Sequence, residues 1–269
     1  MPELPEVETV RAGIAPHIEG ATIRGVEVYH RQLRYPIPEA IETLYNATIE
    51  KVERRAKYLI LTTTQGRVLI HLGMSGAIRI LPDDFEHKKH DHFVLRLSGN
   101  QALIYNDPRR FGFILLYGKD EAIPFLEKLA PEPLTDQFTA AYLHPKLKGR
   151  TRPIKSILMD QAFVVGAGNI YANESLFMAG IDPQRPANNL SLKEVERLVQ
   201  EVKKVLARAI EQGGTTLKDF TTPDGSPGYF AQELLVYGQK GQPCPLCGQE
   251  IERIVIGNRA TYFCPQCQK

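Results

Sequence analysis

The 269-residue sequence predicts an α+β chain of several domains: an N-terminal antiparallel β-sandwich with flanking helices, a helical region, and a small cysteine-bearing hairpin module at the C-terminus. Three observations carry this. Eight short runs rich in Val, Ile, Leu and Tyr recur at residues 22–28, 47–53, 58–63, 67–72, 77–81, 93–97, 102–106 and 113–117. An apolar stripe at helical spacing follows residue 191. All four cysteines fall in the last 26 residues. The corresponding division is 1–130, 131–228 and 229–269.

Residues 1–18 open with a helix. Pro5 suits its first turn, Glu6 and Glu8 suit its positive end, and Val7, Val10 and Ile14 recur at helical spacing. Turn residues such as Gln65-Gly66 and Ser98-Gly99-Asn100 then separate the β-like runs, whose close spacing suggests a sandwich or a barrel; we take the sandwich. Ala130-Pro131-Glu132-Pro133 reads as a linker, and residues 135–220 as helical. Ser191 followed by Glu194 resembles a capping box, with Val195, Leu198, Val199, Val202, Val205, Leu206 and Ile210 forming the stripe and Gly213-Gly214 ending it. Residues 221–230, rich in Pro and Gly, are expected to form an exposed loop.

Hydrophobic residues make up 43% and charged residues 24%, ordinary for a globular protein with a full core. No run of 18 apolar residues is present, so no membrane partner is expected. The acidic, proline-punctuated start is unlike a signal peptide, so the cytoplasm is the expected location. A net charge of +2 announces no partner, but the cations cluster. Lys146, Lys148, Arg150, Arg152 and Lys155 fall within ten residues without an acid; Lys51, Arg54, Arg55 and Lys57 form a second group, and Arg109-Arg110 a third. Such clusters suit phosphate contacts, although any one of them alone reads better as solvated surface.

Cys244-x2-Cys247 and Cys264-x2-Cys267 stand sixteen residues apart, the spacing of a four-cysteine zinc ribbon. Two disulfides or a redox pair are the alternatives, which a cytosolic setting disfavours. One structural Zn²⁺ is therefore expected, with no coordination position left for water.

The start Met1-Pro2-Glu3 also has a chemical reading. Removal of Met1 leaves Pro2 with a secondary amine able to attack a sugar C1′ and form an iminium. The positive end of the following helix favours the unprotonated amine, and Glu3 is placed to protonate a ribose oxygen or shuttle protons. Alone, a Met-Pro start signifies only a processed terminus.

Beyond these local readings, Met1-Pro2-Glu3-Leu4-Pro5-Glu6-Val7-Glu8-Thr9 resembles the N-terminal signature of the formamidopyrimidine-DNA glycosylase family, the bacterial 8-oxoguanine DNA glycosylase/AP lyases. Arg54-Arg55-Ala56-Lys57-Tyr58-Leu59, His71-Leu72-Gly73-Met74-Ser75-Gly76, Asn106-Asp107-Pro108-Arg109-Arg110-Phe111-Gly112, Gly166-Ala167-Gly168-Asn169-Ile170-Tyr171-Ala172 and the cysteine pairs resemble the family's motifs in its order. The resemblance implies a base excision repair enzyme acting, as a monomer, on double-stranded DNA that contains oxidised purines or abasic sites. Its substrates would be 8-oxoguanine opposite cytosine and formamidopyrimidines, removed by attack of Pro2 on C1′ and followed by β,δ-elimination.

The resemblance also implies roles for single residues. Pro2, Glu3, Lys57 and Arg259 would be catalytic, Lys57 near the nucleophile and Arg259 at a hairpin tip reaching phosphate. Met74, Arg109 and Phe111 would fill the space left by an everted nucleotide, as an enzyme working on a stacked base requires. His90, Arg150, Lys155 and Asn169 would contact DNA, the last in a helix-two-turn-helix element. Residues 215–228 would cover the everted base. Two rivals remain: an endonuclease VIII-like enzyme for oxidised pyrimidines, and a non-catalytic zinc-ribbon DNA-binding protein. The Glu3-Leu4-Pro5-Glu6 wording and the full Met74, Arg109 and Phe111 set favour the purine branch.

Overall fold

The structure is a computed structural model that describes residues 2–215 and 230–269. The loop expected at 221–230 and the covering segment expected at 215–228 lie, apart from Thr215 and Phe230, outside the described residues. The chain forms two compact units, Met1–Glu127 with Gln212–Tyr229, and Lys128–Glu211 with Phe230–Lys269.

The first unit begins with α1 (Leu4–Ile18). Its start is capped from within: the Glu6 carboxylate accepts the Glu3 N–H at 2.8 Å and, through its other oxygen, the Thr215 N–H at 2.8 Å. Val7, Val10, Ile14 and Ile18 line one face and are buried. They join the core of a sandwich made of two antiparallel four-stranded sheets. One sheet has the order β1 (Ile23–Val28), β6 (Asp91–Leu97), β7 (Gln101–Asn106), β5 (Ala77–Pro82). The other has the order β2 (Ile49–Arg55), β3 (Tyr58–Thr63), β4 (Arg67–His71), β8 (Phe113–Tyr117). The sandwich, not the barrel, is what forms.

Strand alternation decides which residues enter the core. Phe93, Leu95 and Leu97 of β6 meet Leu103 and Tyr105 of β7 there, together with Leu59, Leu61, Val68 and Ile70 of the second sheet. Val94 points the other way and forms a smaller cluster with Ala102 and Ile104, covered by Leu81 and Phe85. A short helix, α2 (Pro124–Glu127), adds Phe125, whose ring lies 5.1 Å from that of Phe113.

The second unit is helical: α3 (Ala140–Leu147), α4 (Ile154–Leu158), α5 (Asn169–Ala179) and α6 (Leu192–Glu211), followed by the hairpin β9 (Glu252–Ile256) and β10 (Arg259–Phe263). Inside α5, buried Glu174 accepts the N–H groups of Leu235, Val236 and Tyr237 at 2.8 to 3.0 Å, which ties the approach to the ribbon onto this helix. Burial pushes its carboxyl above the usual range, opposed by those three donors.

The capping box read before α6 forms. Ser191 N–H donates to Glu194 Oε2 at 2.8 Å, and Glu194 N–H donates to Ser191 Oγ at 3.4 Å. Arg185 also grips Glu194 through both oxygens, at 2.6 and 3.0 Å, and this pairing holds the carboxyl down at about 2. Because the folded pKa is depressed, the contribution is full above pH ~4.5 and is lost as pH falls toward 2. Glu194→Gln is expected to cost about 1–2 kcal/mol at neutral pH. Urea unfolding at pH 7 and at low pH should show a difference from the parent that shrinks on acidification.

Candidate active site and metal centre

The N-terminal part of the site rests on α1. Pro2 and Glu3 are buried immediately before its first turn, Glu3 with 2% of its surface exposed. Lys57, also buried, sits in the two-residue turn between β2 and β3. Its neighbour Ala56 holds φ = 52°, a left-handed conformation that strains a residue with a side chain. Arg54 links this turn to the helix: its Nε donates to Glu8 at 2.9 Å and its Nη1 to the Ala56 carbonyl at 2.9 Å.

His71 lies across from Tyr58 in the β3–β4 ladder, with its ring stacked on Phe113 at 5.3 Å. Burial, then the charges of Lys57 and Arg34, push its pKa down to about 4. The imidazole is therefore neutral at pH 7, and its Nδ1 accepts the Gly73 N–H at 3.1 Å. This ties the ring to the turn that carries Met74 (residues 73–75).

A second turn carries Arg109 and Phe111, both exposed. The Arg109 guanidinium lies over the Phe111 ring, 4.9 Å from its centroid. The two turns meet backbone to backbone: a Cβ on Gly73 would stand 2.3 Å from Gly112 N and 2.4 Å from the Phe111 carbonyl carbon. Gly73 also has φ = 62°. Glycine here serves close approach as well as the turn. The turn that bears Met74 thus meets the turn that bears Arg109 and Phe111. His90 lies just before β6, its carbonyl accepting the Asp107 N–H at 3.0 Å and its ring 6.1 Å from that of His92.

In the second unit, Arg259 opens β10 and is exposed at the hairpin tip. The tip residues Gly257 and Asn258 both have positive φ, 56° and 61°, as a two-residue turn matching strand twist requires. Arg150 is exposed and rests over Phe163 at 5.5 Å. Asn169 is the first residue of α5, after Gly168. Its Nδ2 donates to the Ala260 carbonyl at 3.0 Å.

Lys155 departs from its expected phosphate contact. It is 1% exposed, and its Nζ donates to Asn169 Oδ1 at 2.7 Å, Ala260 O at 3.0 Å and Thr261 Oγ1 at 2.6 Å. An ammonium has three protons, and all three go to protein acceptors. Lys155 and Asn169 together tie the start of α5 to the hairpin that bears Arg259. The sequence showed the cation but not its acceptors, two of which lie 105 and 106 positions away along the chain.

The four Sγ atoms of Cys244, Cys247, Cys264 and Cys267 lie within 4.8 Å of one another. The Cys244–Cys267 and Cys247–Cys264 pairs stand at 3.9 and 3.5 Å. These are far beyond a disulfide bond and close to the ~3.8 Å edge of a tetrahedron with Zn–S bonds of ~2.3 Å. Backbone N–H groups of Leu246 and Cys267 donate to Cys244 Sγ and Cys264 Sγ at 3.4 Å each, as suits thiolate ligands. Thiolates in this arrangement hold one structural Zn²⁺, which fixes the ribbon beneath the hairpin.

The N-terminal domain model of formamidopyrimidine-DNA glycosylases matches residues 1–114, the model of their H2TH domain matches 129–221, and a zinc finger found in FPG and IleRS matches 241–269. A formamidopyrimidine-DNA glycosylase of Photobacterium damsela subsp. piscicida is 54% identical over 269 residues, covering 100% of both chains. Among solved structures, a Lactococcus lactis FPG mutant in complex with Fapy-dG-containing DNA superposes with a TM-score of 0.93 at 36% identity, covering 100% of both chains. The Lactococcus lactis Fpg in complex with DNA containing an abasic site gives 0.92 at 36% identity, covering 99% of each chain. A sandwich, an H2TH region and a four-cysteine finger in one chain define a zinc-finger DNA glycosylase of base excision repair. The chain belongs to the formamidopyrimidine-DNA glycosylase family.

Two outcomes follow from the site. A depressed histidine pKa makes stability fall as pH drops from ~6.5 to ~4, because the unfolded chain takes up the proton first. His71→Asn should remove that pH-dependent loss, on the order of 3 kcal/mol across the window, from urea unfolding. Native mass spectrometry should find one zinc per chain, and Cys264→Ser should abolish it and leave residues 241–269 open to proteolysis.

Proposed function

We propose that this glycosylase releases 8-oxoguanine and formamidopyrimidines from duplex DNA and then nicks the strand, with Pro2, freed by removal of Met1, as the nucleophile. The reading is carried by the position of Pro2, held before the first turn of α1 with Glu3 beside it. The Pro2 nitrogen forms a bond to C1′ as the bond from C1′ to the damaged base breaks, and Glu3 supplies the proton that opens the sugar ring. The resulting iminium acidifies C2′. Loss of that proton expels the 3′ phosphate, and a second elimination expels the 5′ phosphate, leaving a one-nucleotide gap.

Lys57 assists proton transfer from the β2–β3 turn. Met74, Arg109 and Phe111 enter the duplex where the everted nucleotide leaves a void, Phe111 as a wedge and Arg109 as a donor to the orphaned base. His90, Arg150, Asn169 and Arg259 bind phosphates. Lys155 acts at one remove, by positioning Asn169 and the hairpin. Zinc stabilises the ribbon and takes no part in bond making. The protein acts as a monomer in the cytoplasm, where its DNA substrate is.

Borohydride reduction in the presence of lesion DNA should give a covalent protein–DNA adduct through the N-terminal residue. Acetylating the terminus, or retaining Met1, should reduce trapping and strand incision by at least ~100-fold; undiminished cutting would refute the mechanism. Faster release of 8-oxoguanine than of thymine glycol from matched duplexes is the expected preference, and the reverse order would place the chain with the pyrimidine-directed enzymes.

A further inference from the structure

We propose that Ser75 and Asp107 are positioning residues that lock the turns bearing Met74, Arg109 and Phe111 into one preassembled wedge. The inference rests on the void-filling role given to those three side chains above.

Asp107 has no exposed surface, so its carboxylate needs hydrogen-bond donors from the protein. Each donor comes from a part of the wedge or its support. Oδ1 accepts the Ser75 hydroxyl at 2.6 Å, from the Met74 turn. Oδ2 accepts the Gly112 N–H at 2.9 Å, from the far side of the Arg109–Phe111 turn, and the Tyr105 hydroxyl at 3.2 Å, from β7. The Asp107 carbonyl accepts His92 Nε2–H at 2.8 Å and the Arg110 N–H at 3.2 Å. Ser75 closes the ring of contacts: its proton goes to Asp107, and its oxygen accepts the Arg109 N–H at 3.1 Å.

Backbone contact makes the lock tight. A Cβ on Gly112 would fall 1.9 Å from the Tyr105 hydroxyl and 2.4 Å from the His71 carbonyl oxygen. Arg110 is held at φ = 55°, a left-handed conformation that persists only where its surroundings fix it. The tips are spared these constraints: Phe111 keeps 46% of its surface exposed. The base of the wedge is thus fixed while Arg109 and Phe111 stand exposed and Met74 is half-buried. A wedge ordered before binding avoids the entropy of ordering two loops on the DNA, and it delivers the three side chains in register.

The chemistry calls for a carboxylate. Three donors converge on its two oxygens, and an amide in its place would turn an NH₂ toward at least one of them. Asp107→Asn, nearly equal in volume, and Ser75→Ala, milder should the first variant not fold, both remove the lock while leaving Pro2, Glu3 and the zinc ribbon in place. The test uses the full zinc-loaded protein, with folding checked by thermal melting.

Single-turnover release of 8-oxoguanine from duplex DNA should fall at least tenfold. Strand cleavage at an abasic site in single-stranded DNA, which has no stack to open, should stay within twofold of the parent. A 2-aminopurine beside the lesion should lose the fluorescence rise that marks stack opening. An equal fall on both substrates, or no fall on the duplex, overturns the lock. If the parent protein itself fails to cleave either substrate, the proposed function fails instead.

Discussion

The nucleophile proposed at Pro2 needs that stretch of chain held still, and the restraint the structure supplies is the burial of α1. Termini fray unless docked. Val7, Val10, Ile14 and Ile18 sink into the sandwich core with at most 1% of their surface exposed, and they fix the helix axis. Glu6 then fixes the first turn, with one oxygen on the Glu3 N–H and the other on the Thr215 N–H. A carboxylate at a helix start complements the positive end of the dipole as well as the unpaired N–H groups. Position of the terminus is thus a consequence of ordinary core packing plus one buried acid.

The same economy recurs in the second unit. Glu174 and Lys155 are both buried charges, and each joins segments remote in sequence by meeting backbone and side-chain groups. A buried charge is tolerated when its hydrogen-bonding capacity is filled, and filling it from several segments fixes their relative placement. Zinc does comparable work at the ribbon, where four thiolates from two knuckles converge on one point. With so small a local core, built around Val236, Cys244, Ile251 and Cys264 with Phe177 of α5, the ribbon needs that cross-link.

Much of this was legible in the chain. All eight strands of the sandwich lie within two residues of where the β-like runs placed them, because alternation and turn residues are local signals. The Ser191–Glu194 box and the two Cys-x2-Cys knuckles were readable for the same reason. The buried setting of Lys155 was not legible, since a cation in a basic run looks the same in sequence whether it faces water or three acceptors of the protein. Ser75, Asp107 and His71 lie inside motifs of the family, but no local signal sets them apart from their neighbours. Ser75 and Asp107 are 32 positions apart, and no periodicity links them.

By itself the sequence determined the strands of the sandwich, the zinc ligands and the family resemblance. Each follows from residue type at short spacing, where backbone geometry alone limits the outcomes. Tertiary structure decided the rest: that the strands pair as two sheets, that His71 stays neutral, that Lys155 faces inward, and that two turns meet through glycine backbones. These depend on which distant segments exclude water from one another. Burial, and the hydrogen bonds it makes obligatory, belongs to the folded chain as a whole and not to any stretch of it.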